Sequence, residues 1–190
     1  MALLTYSDFA SGKYRISQTT DTQTDLTFYI TKFEKQYLIK LLGKSLYDLF
    51  VASYSSGLPT GIYLTLYNEF AEDNENSGFV FYRLDGAIFP SVESGAEAEP
   101  VVFSEGIKEM LKGFIYFEFV KDQYSQNTPN GNVQKENENA ILLPQIQSNL
   151  KEKYNNAVAT YRAIQWYIGQ HIEDYSTYNG QPIDIIPFIS

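Results

Sequence analysis

The sequence predicts an all-α, mainly helical fold of four to five helices, with a β-hairpin or loop insertion and an extended C-terminal tail. Three observations carry this. Apolar residues recur at three- and four-residue steps over most of the chain. Strand character is confined to one stretch near residues 79–89. No internal repeat or second core is visible, and 190 residues suit one sizeable core. The expected organisation is a single domain over 1–190, with the insertion at about 77–103 and the tail at about 180–190.

The first helix is expected to start between Asp21 and Asp25, capped by Thr24 or Asp25. Leu26, Tyr29, Ile30, Phe33, Tyr37, Leu38, Leu41 and Leu42 then form one apolar stripe, with Lys32, Lys35 and Gln36 off it. Gly43 is placed to end this helix in a left-handed cap. A second helix is expected from Ser45 to about Tyr54, with Leu46, Leu49 and Phe50 on one side. SSGLPTG breaks the chain, and a third helix is expected over 62–71.

Residues 77–102 change character. Phe79–Leu84 reads as a strand, Asp85-Gly86 as a turn, and Ala87–Phe89 as the returning strand. PSVESGAEAEP has loop composition. From Ser104 helical spacing resumes, with Phe103, Ile107, Met110, Phe114, Phe117 and Tyr124 on one face. Glu105, Lys108, Glu109 and Lys112 lie off that face, where ion pairing accounts for them. The amide-rich SQNTPNGNVQKENENA is expected to be irregular. Pro144 suits the first turn of a last helix, along which Leu150, Tyr154, Ala157, Tyr161, Ile164, Ile168, Ile172 and Tyr175 keep helical spacing. Gly180-Gln181-Pro182 ends it before the apolar tail IDIIPFIS.

Composition removes many chemistries. There is no cysteine, so no disulfide, thiol nucleophile or thiolate metal site. A single histidine, His171, excludes sites that need two imidazoles. A formal net charge of −9 argues against a duplex-binding surface. Most of that excess lies between Glu69 and Glu99, where eight acids face one base, Arg83. This stretch either solvates an outer surface or faces something it must not bind. No apolar run approaches the roughly 20 residues of a membrane span; the best, GFIYFEFV, contains Glu118. The N-terminal residues lack the pattern of a secretory signal, so no membrane partner is expected and the chain is expected to work inside a cell or in a particle assembled there.

Three motifs tempt and fail. Gly43-Lys44-Ser45 ends like a phosphate-binding loop, but Leu38 stands where its first glycine belongs and a helix precedes it. Lys44 reads instead as a cation at a helix end. Asp73–Gly78 opens like a calcium loop, yet position twelve is Leu84. His171 and Asp174 lack the G-x-S-x-G elbow that would present a serine. The sequence predicts no enzyme, no catalytic residues, no cofactor and no metal.

Met110–Ala140 combines an aromatic-rich helix (Phe114–Val120), Lys121-Asp122, Gln126-Asn127-Thr128, a turn at Gly131 and the Asn/Glu-rich Glu136–Asn139. Upstream, YLIKLLGKSLYDLF forms a helix junction. In this order, and with the tail PIDIIPFIS, the chain resembles head–tail connector proteins of tailed bacteriophages, of the type found in relatives of crAss-like phages. Pro129-Asn130 departs from the family's Gly-aromatic pair. The resemblance implies an all-helical virion adaptor at the head–tail junction, made in the host cytoplasm. It would form a homo-oligomeric ring, usually dodecameric, beneath the portal protein. Other neck and tail proteins would adjoin it, and genomic DNA would pass through the lumen without specific binding. The aromatic excess agrees with an interface-making protein. The alternative is a soluble helical binding module, such as an assembly chaperone or regulator. The residues expected to serve the interface are Asn127, Gly131 and Val133 in the amide-rich loop, and Ile183, Ile185, Ile186, Phe188 and Ile189 in the tail. The tail is expected to extend onto a partner.

Overall fold

A computed structural model describes residues 2–17, 19–73, 81–82, 88–89, 101–128, 131–134, 142–178 and 188. It is mainly helical, with short antiparallel strand pairs. The core is made by three long helices and an N-terminal segment laid against them. That segment contains a short 3-10 turn, Tyr6–Phe9, and buries Leu3, Leu4, Phe9, Tyr14 and Ile16.

The first helix, α1, spans Thr20–Ala52. Its cap is Thr19, whose Oγ1 accepts the Thr22 N–H at 3.3 Å, so the helix begins before the expected Thr24 or Asp25. The apolar stripe is as expected: Leu26, Ile30, Tyr37, Leu38, Leu41 and Leu42 are buried, with Tyr29 and Phe33 packed beside them. Gly43 ends the first helical stretch, as expected, but by a kink between two helical stretches rather than by a left-handed cap. Its φ of 72° and ψ of 165° are non-helical and belong to a region essentially reserved for glycine, and the chain resumes helix at once. Carbonyls in the last turn before a break lose regular partners. Tyr161 reaches across and donates its hydroxyl to the Lys40 carbonyl at 2.9 Å. Past the kink Leu46 and Phe50 are buried, but Leu49, expected on the same side, is 44% exposed.

SSGLPTG folds into a small hairpin of β1, Tyr54–Ser55, and β2, Leu58–Pro59. The helix expected over 62–71 is only Tyr63–Tyr67 (α2). Long-range pairing overrides local pattern there. Phe70–Asp73 (β3) runs antiparallel to Val101–Ser104, with Phe70 opposite Ser104 and Asp73 opposite Val101. The Phe70 ring lies 4.7 Å from that of Tyr167. Inside this stem Phe81–Tyr82 (β4) pairs with Ile88–Phe89 (β5), as the sequence predicts; the intervening Asp85-Gly86 turn and the loop at 90–100 lie outside the described residues.

The partner strand Val101–Ser104, β6, buries Val102 and exposes Phe103, which therefore belongs to no helix face. The next helix, α3, spans Gly106–Tyr124. Ser104 Oγ accepts the Gly106 N–H at 3.1 Å. At Gly106, φ is +83° and a Cβ would stand 2.4 Å from the Tyr67 carbonyl oxygen, so only glycine fits this turn. Ile107, Met110, Leu111, Phe114, Ile115 and Phe117 are buried, and Phe114 stacks on Tyr37 with ring centres 4.3 Å apart. Where irregular chain was expected, Ser125–Thr128 (β7) and Gly131–Gln134 (β8) form a hairpin. Backbone pairing needs no apolar side-chain pattern, which is why amide-rich composition hid it.

The last helix, α4, spans Leu142–Gln170, with Pro144 in its first turn. Ala157, Tyr161, Ile164 and Ile168 are buried on the expected face. The helix ends before His171, and residues 171–177 form successive turns, so His171 and Ile172 are not helical. Tyr175 is still buried, and its hydroxyl donates to the Ile62 carbonyl at 2.9 Å.

Candidate interaction surface

Ion pairs and tyrosine hydroxyls staple the outer segments to the helices. Lys108 Nζ lies 2.6 Å from Asp8, and Lys13 pairs with Glu105, so the N-terminal segment is fixed to the start of α3 from two sides. Glu109 pairs with Lys112, the ion-pairing use expected of these two charges, and Glu118 pairs with Lys121. On the other side of α3, Tyr29 donates to Asp122 at 2.6 Å and Tyr37 to Glu118 at 3.1 Å. Burial and the Asp122 bond push the Tyr29 hydroxyl up to about 12, so it remains a donor.

Among the described residues, Glu34 is a buried acid that the sequence did not single out. It sits among the apolar positions of α1 at 6% exposure. Its carboxylate accepts the Leu3 N–H on both oxygens and the Leu4 N–H on one, each at 2.9 Å. Burial raises its affinity for a proton, opposed by these N–H bonds and reinforced by Asp8. A polar residue in an apolar register was the available signal; its backbone partners, thirty residues away, were not.

Two of the tempting motifs lie in described structure; of the third, Asn74–Gly78 falls outside the described residues. Lys44 follows the Gly43 kink, at the junction of the two helical stretches of α1, and pairs with Asp48 one turn on. His171 lies against Tyr167, ring centres 4.3 Å apart. Among the described residues no three His, Asp or Glu side chains group to hold a metal ion, and no helix is long and apolar enough to cross a membrane.

The residues expected at an interface separate into two places. Asn127, Gly131 and Val133 belong to the β7–β8 hairpin, where they pair with Asn132, Thr128 and Gln126 respectively. Ile183, Ile185, Ile186 and Ile189 lie outside the described residues. Phe188 is described, and it rests on its own chain. Its ring stands 5.4 Å from Phe117 of α3 and 5.0 Å from Tyr154 of α4. Within one chain, these neighbouring rings offer Phe188 apolar contact; the partner expected for the tail would be a second chain. Of the acids between Glu69 and Glu99, Glu69, Glu72 and Asp73 fall within the described residues and the rest lie outside them.

Other large apolar side chains stand in solvent where helical spacing put none or put them inside. Leu58, Ile62 and Leu64 are exposed in the β2–α2 segment. Ile172 is exposed in the turn that Tyr175 bonds to that segment. Phe28, 61% exposed, projects from the start of α1 under Lys32, whose ammonium lies 5.7 Å from its ring centre. Compared with family models, with curated proteins and with solved structures, the chain matches none of them.

Proposed function

We propose that this chain is a structural virion protein that assembles as a ring adaptor between portal and tail and continues the DNA channel. The observation that carries the reading is the exposure of Leu58, Ile62, Leu64 and Ile172 around one short helix and its bonded turn. Exposed apolar side chains brought together in this way mark surfaces that partners cover. The YLIKLLGKSLYDLF junction adds support. Its Tyr37, Leu38, Leu41, Leu42, Leu46 and Phe50 are core residues grouped about the Gly43 kink, so the motif behind the resemblance is an architectural one. A head-to-tail interface of such surfaces closes into a ring when its rotation permits.

Native mass measurement of the purified chain, alone and with portal protein, tests the reading. The expected result is a multi-copy assembly on the portal, twelve copies by the resemblance. A chain that stays a monomer or dimer with portal present would replace the adaptor with a helical binding module. Labelling the protein in the particle neck and imaging it places the ring directly.

A further inference from the structure

The contact made by Phe188 has the form of a binding site. The Asn155 side-chain amide answers both backbone groups of that residue: Oδ1 accepts the Phe188 N–H at 2.9 Å, and Nδ2 donates to the Phe188 carbonyl at 3.2 Å. This is the pairing a neighbouring β-strand would give, supplied here by one side chain on a helix. The ring of Phe188 sits against Phe117 and Tyr154, which themselves touch with ring centres 4.6 Å apart. The site therefore reads the backbone N–H and C=O of one residue through Asn155 and its aromatic ring through the pair beside it.

Receptor and ligand come from separate parts of the chain. Phe117 lies on α3, and Tyr154 and Asn155 lie on α4, whereas Phe188 follows ten residues after Tyr178. Ten residues span at most about 35 Å when extended, enough to reach past the radius of a domain of this length. The contact is also shallow. Phe188 remains 38% exposed, so its departure opens no core. The same bonds can form within a chain or between two copies at equal contact energy, and the balance is then set by effective concentration.

We propose that Phe117, Tyr154 and Asn155 form a receptor for the Phe188 segment of a second copy, so that neighbouring chains are joined by exchange of this segment. The inference rests on the ring reading in one respect: the ring supplies a neighbour at high local concentration.

Two full-length variants with complementary lesions test it. Asn155→Ala keeps the segment and impairs the receptor; Phe188→Ala keeps the receptor and impairs the segment. Neither position is buried, and circular dichroism verifies that both fold. With one variant isotopically labelled, native mass spectrometry of the mixture should show mixed pairs at least ten-fold above the like pairs of either variant. Mixed pairs no more abundant than like pairs would overturn the exchange. Independently, a fluorescent peptide of residues 182–190 should bind Phe188→Ala at least ten-fold more tightly than the double variant Phe188→Ala, Asn155→Ala. Equal binding would remove the receptor. The portal mass measurement judges the ring separately: a portal-bound ring without mixed pairs removes only the exchange, and mixed pairs without a portal-bound ring remove only the adaptor reading.

Discussion

Glu34 shows how one side chain can hold a segment. The buried N–H groups of Leu3 and Leu4 have its carboxylate as partner. Replacing it with alanine leaves them unsatisfied, at about 1–3 kcal/mol for each buried donor. Glu34→Ala is therefore expected to lower the denaturation midpoint and to open the N-terminal segment to limited proteolysis first. The pH dependence has a definite sign. Burial raises the Glu34 pKa in the fold, so the native chain holds this proton more firmly than the unfolded one. Its contribution to stability is then fully present below the ordinary carboxylate range and is lost as pH rises through the raised value. Denaturation at a series of pH values should show this fall, and Glu34→Gln should flatten it. Asp8 acts in the opposite sense. Burial pushes its pKa up, but Lys108 and Thr5 outweigh burial and hold it below the usual value, so its contribution is lost as pH falls through that lowered value.

At the level of elements, a long apolar period survives tertiary context and a short one does not. The stripes of α1, α3 and α4 were legible because many side chains repeat one angle, and their burial follows. Phe114 is the sharpest case: fully buried, stacked on Tyr37 and in edge contact with Tyr154 and Tyr161. Phe114→Ala should cost about 3–5 kcal/mol, read as a drop in thermal midpoint. The short elements went astray for physical reasons. Residues 68–71 have helical composition, but β3 is held by pairing with β6, a partner distant in sequence. The β7–β8 hairpin is a backbone pairing without an apolar pattern. Ile172 keeps the helical period beyond the point where α4 stops. Of the candidate interface, composition pointed to the tail and the amide-rich loop; the receptor for Phe188 was invisible because Asn155 and Phe117 read as ordinary helix positions.

For the whole molecule, the β3–β6 stem separates what the core needs from what it carries. Asp73 and Val101 face each other across one rung, so the segment 74–100 leaves and re-enters the domain at neighbouring points about 5 Å apart. Such a stem is an engineering port. Replacing 74–100 with a tight two- to four-residue turn should preserve the helical circular dichroism spectrum, because the core helices lie outside the segment. It should also raise stability by about 1–2 kcal/mol through the shorter closure. Loss of the folded state on this excision would show that the segment is a structural member. Its retention would make the same rung a place to graft an affinity tag or fluorescent domain, carried at a fixed root and removable without rebuilding the domain.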